Sequence, residues 1–307
     1  MISLIIVRRT AGQYYNEGYY MEELFQSVYK QEISQSDFLR LSSVIYKICG
    51  IVLPETKKIL VEGRIRRRIM ETGFQSYEKY IEYLFSEPGM NNEITPLVDI
   101  ITTNKTDFFR ENNHFEYLVA NALPRIINNI KEKHTKHSIR FWSAGCSTGE
   151  EPYTLAIVLK EFFEKWKEFE FSVYATDISA SVLQKARLGV FEYDKIDVIP
   201  ENLKKKYLLK NKDPEKKCAR VVPELRSLVE FSNLNLMDED YDLPALMDVV
   251  FCRNVLIYFD KKTQENVINK FAQNMKTGGY LFLGHSESIL GMDVPFERAA
   301  STIYIRI

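Results

Sequence analysis

The run Ser143-Ala144-Gly145-Cys146-Ser147-Thr148-Gly149-Glu150-Glu151 joins the end of an apolar strand to the start of a helix. Small side chains there let a ligand approach the backbone closely. The G-x-G-x-x-G spacing of dinucleotide sites is absent, and two carboxylates at a helix N-terminus oppose a pyrophosphate. A G-x-x-x-x-G-K-[ST] phosphate loop is absent too. Such a helix start suits a cationic ligand. The next strand-like run closes on Ala175-Thr176-Asp177, where a carboxylate can accept hydrogen bonds from ribose hydroxyls. Read locally, Asp177 could instead cap the helix at Ser179. A ribose acceptor, an acidic helix start and no phosphate loop together predict S-adenosyl-L-methionine, which carries a ribose and a sulfonium but no phosphate. Asn235-Leu236, after the strand-like residues 231–234, could bring a side-chain amide to adenine nitrogens with an apolar neighbour against the ring.

Other chemistries find less support. The four cysteines, Cys49, Cys146, Cys218 and Cys252, are far apart with no C-x-x-C, and there are only four histidines. No metal site is therefore expected. Gly284-His285-Ser286-Glu287-Ser288 puts Ser where a nucleophile elbow needs its second Gly, so His285 reads as a structural hydrogen-bonding residue beside the pocket. With 41 Lys plus Arg against 42 Asp plus Glu, the net charge is −1, which excludes a globally basic nucleic-acid binder. No apolar run reaches about 18 residues, and the apolar residues 2–7 are too short for a leader. The expectation is a cytoplasmic chain without membrane insertion.

At 307 residues the chain is long enough for one large domain or two modest ones. Residues 1–33 read as an extension of uncertain order, with Tyr14, Tyr15, Tyr19 and Tyr20 in a polar stretch. Residues 34–90 read as a small helical domain. Ser36 caps a first helix with Phe38, Leu41, Val44, Ile45 and Ile48 on its apolar face, and Gly50 ends it. A second helix over 55–70 carries the Val61, Ile65, Ile69 stripe and stops at Gly73; Ser76 opens a third. Residues 86–97, beginning Ser86-Glu87-Pro88-Gly89, read as a linker. From about Ile139 strands alternate with helices, which predicts an α/β fold, a doubly wound, Rossmann-like sheet in a domain taken as residues 91–307. Three short strands within 207–233 predict a small antiparallel β insertion.

Four motifs then stand out: residues 102–110 (Thr102-Thr103-Asn104-Lys105-Thr106-Asp107-Phe108-Phe109-Arg110), residues 142–153, residues 251–260 (Phe251-Cys252-Arg253-Asn254-Val255-Leu256-Ile257-Tyr258-Phe259-Asp260) and Gly284-His285-Ser286-Glu287. In order and spacing, from about residue 35 to the end, they resemble the CheR chemoreceptor methyltransferases. The resemblance implies methyl transfer from S-adenosyl-L-methionine to the γ-carboxylate of glutamates on chemoreceptor signalling helices, with S-adenosyl-L-homocysteine as product. It implies that Asn104, Thr106 and Arg110 line the methionine end of the cofactor. Glu151, with or without Glu150, lies at the helix start, Asp177 holds the ribose, and Asn235, Leu236, Arg253 and Asn254 meet the adenosine portion and pocket wall. Arg110 and Tyr258 flank the transferring methyl as the catalytic pair. The implied protein is a monomer.

Arg64, Arg67 and Arg68 share a face of the second helix beside its apolar stripe. They read as a solvated face or, as the resemblance implies, as the surface that receives Glu-rich receptor helices. The turn at 210–217 lacks the glycine pair associated with members that grip a receptor tail peptide. Two other readings compete: a nucleic-acid methyltransferase with the Arg helix on phosphates, and a non-catalytic cofactor-binding regulator. The first lacks a base-methylating motif, and intact Arg110, Asn254 and Tyr258 argue against the second.

Overall fold

The computed structural model describes residues 30–130, 137–213 and 215–307, so most of the expected N-terminal extension lies outside the described residues. The chain separates into two compact units, one comprising residues up to Ile45 with Leu53–Ile101, the other Tyr46–Val52 with Thr102–Ile307.

The first unit is helical, its described helices being α1 (Gln35–Cys49, whose last turn groups with the second unit), α2 (Lys58–Thr72), α3 (Tyr77–Leu84), α4 (Glu87–Asn92) and α5 (Ile94–Ile101). The apolar periods close its core: Phe38, Leu41 and Ile45 of α1 and Val61, Ile65 and Ile69 of α2 are fully buried. Capping departs from expectation in one place. Ser34, not Ser36, accepts the Asp37 amide at 3.1 Å, and the helix begins two residues earlier than a Ser36 cap would allow. Ser76 does cap α3, accepting from Lys79 N at 3.2 Å, and Gly73 at φ +77° ends α2.

The expected linker over 86–97 is instead α4 and the first half of α5. Ser86 accepts the Gly89 amide at 3.2 Å, and Pro lies in the first turn. Ser-Glu-Pro-Gly is here a helix start rather than a turn. Gly89 is required for packing, because a Cβ would fall 1.8 Å from the Tyr83 carbonyl oxygen. Glu93, between α4 and α5, is buried and accepts Arg68 Nε at 2.5 Å, Arg68 Nη2 at 2.9 Å and the Tyr80 hydroxyl at 3.1 Å.

The second unit contains strands β1 (His137–Ala144), β2 (Phe169–Asp177), β3 (Val190–Glu192), β4 (Leu208–Lys210), β5 (Cys218–Val221), β6 (Val229–Asn233), β7 (Met247–Cys252), β8 (Met275–Leu283), β9 (Phe296–Ala300) and β10 (Ile303–Arg306). Seven form one sheet in the order β6-β2-β1-β7-β8-β10-β9. Its first five strands are parallel, and β10 is antiparallel to both neighbours. Crossover helices include α6 (Glu150–Phe163), α7 (Ala180–Leu188) and α8 (Lys261–Gln273). Successive strand residues enter opposite cores. Phe141, Val249, Phe251 and Phe282 pack on one face, and Trp142, Val250, Cys252 and Leu281 on the other. Burial on both faces is why these strands read as continuous apolar runs.

The expected antiparallel insertion exists with different members. Its order is β3-β5-β4, so the third strand is Val190–Glu192, and Val229–Asn233 runs parallel to β2 in the large sheet. A three-residue strand directly after Gly189 carries too little pattern to be read. The 229–233 run looks the same locally whichever sheet it joins.

Candidate active site

The loop after β1 is pinned to the end of β2. Gly145 N and Cys146 N both donate to the Thr176 carbonyl, at 2.8 and 2.9 Å. Gly145 lies at φ +82°, and a Cβ there would stand 2.5 Å from Val255 Cγ2, so only glycine permits this approach. Asp177 is buried. Its Oδ2 accepts from Ser147 N and its Oδ1 from Ser179 N, both at 2.9 Å. Ser179, not Asp177, caps α7, its Oγ accepting Val182 N at 3.4 Å; the Asp177 bond to Ser179 N closes the turn before the helix, and a carboxylate retains acceptor sites beyond two such bonds. Ser147 Oγ donates to the Asn104 carbonyl at 3.0 Å, which brings the 102–110 segment alongside.

The two glutamates at the start of α6 part company. Glu151 lines the cleft; its Oε1 accepts Ser143 Oγ at 2.6 Å and its Oε2 accepts Arg253 Nε at 2.7 Å. Glu150 accepts Thr148 Oγ1 at 2.6 Å, is not among the cleft-lining residues, and burial raises its carboxyl pKa. Arg253 continues the network, with Nη1 2.6 Å from the Arg110 carbonyl and its guanidinium 5.1 Å from the Phe115 ring and 5.6 Å from that of Phe251. Arg110 is bracketed by two non-glycine residues in the left-handed region, Phe109 at φ +54° and Glu111 at φ +53°. Such backbone costs energy and persists where surroundings over-determine it. Here the Phe109 amide is held by Thr154 Oγ1 at 3.2 Å, and buried Phe108 packs edge-on against Phe191. Arg110 Nη1 donates to the Lys105 carbonyl at 3.1 Å.

Beyond β7, Asn254 sits at φ +61°, with Nδ2 3.5 Å from Glu111 Oε1 and a buried Oδ1 that has no hydrogen-bond partner among the described residues. Tyr258 ends a 3₁₀ turn, and its carbonyl accepts Val52 N at 2.9 Å. Gln264 Nε2 braces the turn at the Leu256 and Phe259 carbonyls, both at 2.9 Å.

These elements enclose a cleft of about 260 Å³ past the C-terminal ends of the parallel strands. Asn104, Thr106, Arg110, Glu151, Asp177, Asn235, Leu236, Arg253, Asn254 and Tyr258 all line it. Asn235 is also tied into the protein: its Nδ2 donates to the Ile48 carbonyl at 2.6 Å and its Oδ1 accepts Met237 N at 3.0 Å, which leaves the amide one further N–H and one further lone pair. Sequence reasoning missed Cys49 and Ile51, which wall the same cleft from a segment whose local pattern shows only a helix end. Burial pushes the Cys49 thiol up to about 11.

Arg64, Arg67 and Arg68 lie on α2 in the first unit. Arg68 is held by Glu93, Arg64 Nη1 donates to the Ile101 carbonyl, and Arg67, 69% exposed, stands 3.8 Å from Glu71. Arg68 is therefore an internal tie of the helical unit.

Glu111, His114 and His285 bring their ligand atoms within 4.8 Å of one another. Arg253 Nη1 lies 3.4 Å from His114 Nδ1 and 3.6 Å from Glu111 Oε2, so a guanidinium already supplies positive charge there. Burial, reinforced by Arg253, lowers the His114 pKa to about 4. Among the described residues no helix is long and apolar enough to cross a membrane.

The cleft fits a phosphate-free nucleoside that brings its own donors: Asp177 offers acceptors, and Asn254 Oδ1 awaits a partner. Comparison with known proteins agrees. Residues 36–102 match the all-alpha domain of CheR methyltransferase, and residues 104–305 match its SAM binding domain. The chain is 42% identical over 260 residues to a chemotaxis protein methyltransferase of Borreliella burgdorferi, covering 84% of this chain and 90% of that one. It is 35% identical to its namesake from Salmonella typhimurium (92% and 93% covered) and 34% identical to that of Escherichia coli (92% and 94%). With both domains matched in order and relatives aligned over most of their length, the chain belongs to the CheR methyltransferase family.

Proposed function

We propose that this protein transfers a methyl group from S-adenosyl-L-methionine to the γ-carboxylate of glutamates on chemoreceptor signalling helices, as a cytoplasmic monomer. The observation that carries the reading is the convergence of Asp177, Asn254, Arg110 and Tyr258 on one cleft of a CheR-family chain.

When bound, S-adenosyl-L-methionine supplies an electrophilic methyl group on a sulfonium sulfur. Asp177 accepts its ribose hydroxyls, and Asn104, Thr106 and Asn254 line the remainder. Leu236, with Cys49 and Ile51, gives an apolar wall. The Glu151–Arg253 pair holds the cleft floor by joining α6 to the end of β7. The acceptor carboxylate is ionised near neutral pH, with a reference pKa of about 4.3, so no residue of the chain has to remove a proton. Positioning is what remains for the protein to contribute. Arg110 presents a guanidinium, the group best suited to fix a carboxylate by paired hydrogen bonds. The Tyr258 hydroxyl orients the acceptor without binding the attacking oxygen tightly enough to blunt it. Arg67, the solvent-facing member of the α2 cluster, attracts Glu-rich helices.

The test is transfer of labelled methyl from S-adenosyl-L-methionine to purified receptor signalling domain. Base-labile label on the receptor is the expected result, as a carboxyl ester requires. Label on RNA would establish a nucleic-acid methyltransferase instead, and cofactor binding without transfer to either would establish a regulator.

A further inference from the structure

Gly284-His285-Ser286-Glu287 is the motif that the methyl-transfer reading leaves without a role. Glu287 is buried, and among the described residues no cation pairs with it. Its partners are backbone amides. Oε2 accepts Gly284 N at 2.6 Å and Asn254 N at 2.9 Å, and Oε1 accepts Ile257 N at 3.3 Å. One carboxylate thus joins the end of β8 to the loop after β7. Gly284 makes the approach possible, since a Cβ there would lie 2.8 Å from Asn254 N and 2.9 Å from Glu287 Oε2. Asn254 has the left-handed backbone noted above, at φ +61°, and its amide is one of those held. Removing a carboxylate from water without a counter-charge is costly, and burial raises the pKa of this one while the amides oppose the shift. An apolar side chain here would leave three backbone amides without an acceptor, so the carboxylate aimed at them dictates a backbone course.

We propose that Glu287 is a positioning residue for methyl transfer: its carboxylate sets the path of residues 254–258 and so the direction in which the Asn254 amide and the Tyr258 hydroxyl face the cleft. The inference rests on the methyl-transfer reading and deepens it. A carboxamide in the same place keeps one acceptor but turns an NH₂ toward at least one backbone N–H, which releases part of the loop.

The experiment measures full-length Glu287→Gln and Glu287→Asp with saturating S-adenosyl-L-methionine and a receptor signalling domain. For Glu287→Gln, kcat is expected to fall on the order of tenfold to a hundredfold with receptor KM nearly constant. Glu287→Asp, which keeps the charge, recovers part of it. In a Tyr258→Phe background the same Gln substitution should cost clearly less, because one of the two groups it would misdirect, the hydroxyl, is already gone while the Asn254 amide remains. A near-normal kcat for Glu287→Gln, or an equal loss in both backgrounds, overturns the proposal. Should neither variant fold, backbone hydrogen exchange of the wild-type chain decides. Common slow exchange of the Asn254, Ile257 and Gly284 amides supports a single anchor, and fast exchange at Asn254 or Ile257 with Gly284 protected overturns it. Lack of turnover by the wild-type chain strikes at the methyl-transfer reading alone, since the exchange pattern tests the anchor independently.

Discussion

Arg253 Nε donates to Glu151 Oε2 at 2.7 Å with both side chains buried, so the end of β7 and the first turn of α6 are joined by a charge pair at the cleft. Removing one member of such a pair leaves the other uncompensated. Glu151→Gln should lower unfolding stability by about 3–5 kcal/mol. Combined with Arg253→Met it should cost less than the sum of the two single changes. Urea denaturation of the three variants checks this; strict additivity would show that the charges do not interact.

Arg110 has its backbone carbonyl fixed by Arg253 and one guanidinium nitrogen on the Lys105 carbonyl, so truncation should remove a group that is already positioned. Arg110→Ala is expected to lower kcat by roughly a hundredfold to a thousandfold. Steady-state methylation assays decide, and near-normal turnover would remove Arg110 from the mechanism.

Asp177 serves the fold through the Ser147 and Ser179 amides as well as the proposed ribose contact. Asp177→Asn keeps the size and one acceptor, so it probes the contact more cleanly than Ala. Calorimetry should show S-adenosyl-L-homocysteine binding weakened by about 1–3 kcal/mol. Unchanged affinity in a folded variant would place the ribose elsewhere.

His114 is fully buried, with Nε2 3.0 Å from Thr302 Oγ1 and Arg253, Glu111 and His285 around its ring. Its pKa falls from 6.5 to about 4 on folding. Between those values the unfolded chain binds the extra proton, so stability is fully present above pH 6.5 and declines as pH drops toward 4. The loss is on the order of 3 kcal/mol. Urea midpoints measured from pH 7 to pH 4 should fall more steeply for the wild type than for His114→Gln. Parallel profiles would contradict the assignment.

Arg67 and Arg68 should respond differently although they are adjacent. Arg67→Glu is expected to raise receptor KM severalfold, an effect that salt weakens, and to leave cofactor affinity unchanged. Arg68→Ala should instead lower thermal stability by leaving the Glu93 carboxylate without its cation. Kinetics and melting curves on the two variants separate a docking charge from a structural one.

Alternation of apolar strands and helices, the periods of α1 and α2, and four motifs in order were enough to read from the sequence the α/β class, the cofactor and ten residues of one cleft. Those features are local: helix period, strand burial and loop composition act within a few residues of the chain. Hydrogen bonds and pairings between distant segments left no local trace. Nothing near Asn235 indicates that its amide reaches Ile48, nothing near residue 229 that the strand joins β2, and nothing near Glu287 that its acceptors are amides at 254 and 257. Ser86-Glu87-Pro88-Gly89 suits a turn as well as a helix start until Tyr83 lies against Gly89. Side-chain types and spacing thus told which chemistry this chain carries. Only long-range packing, where a donor meets whichever acceptor the fold brings to it, decided which of those side chains face the cleft and which hold it in shape.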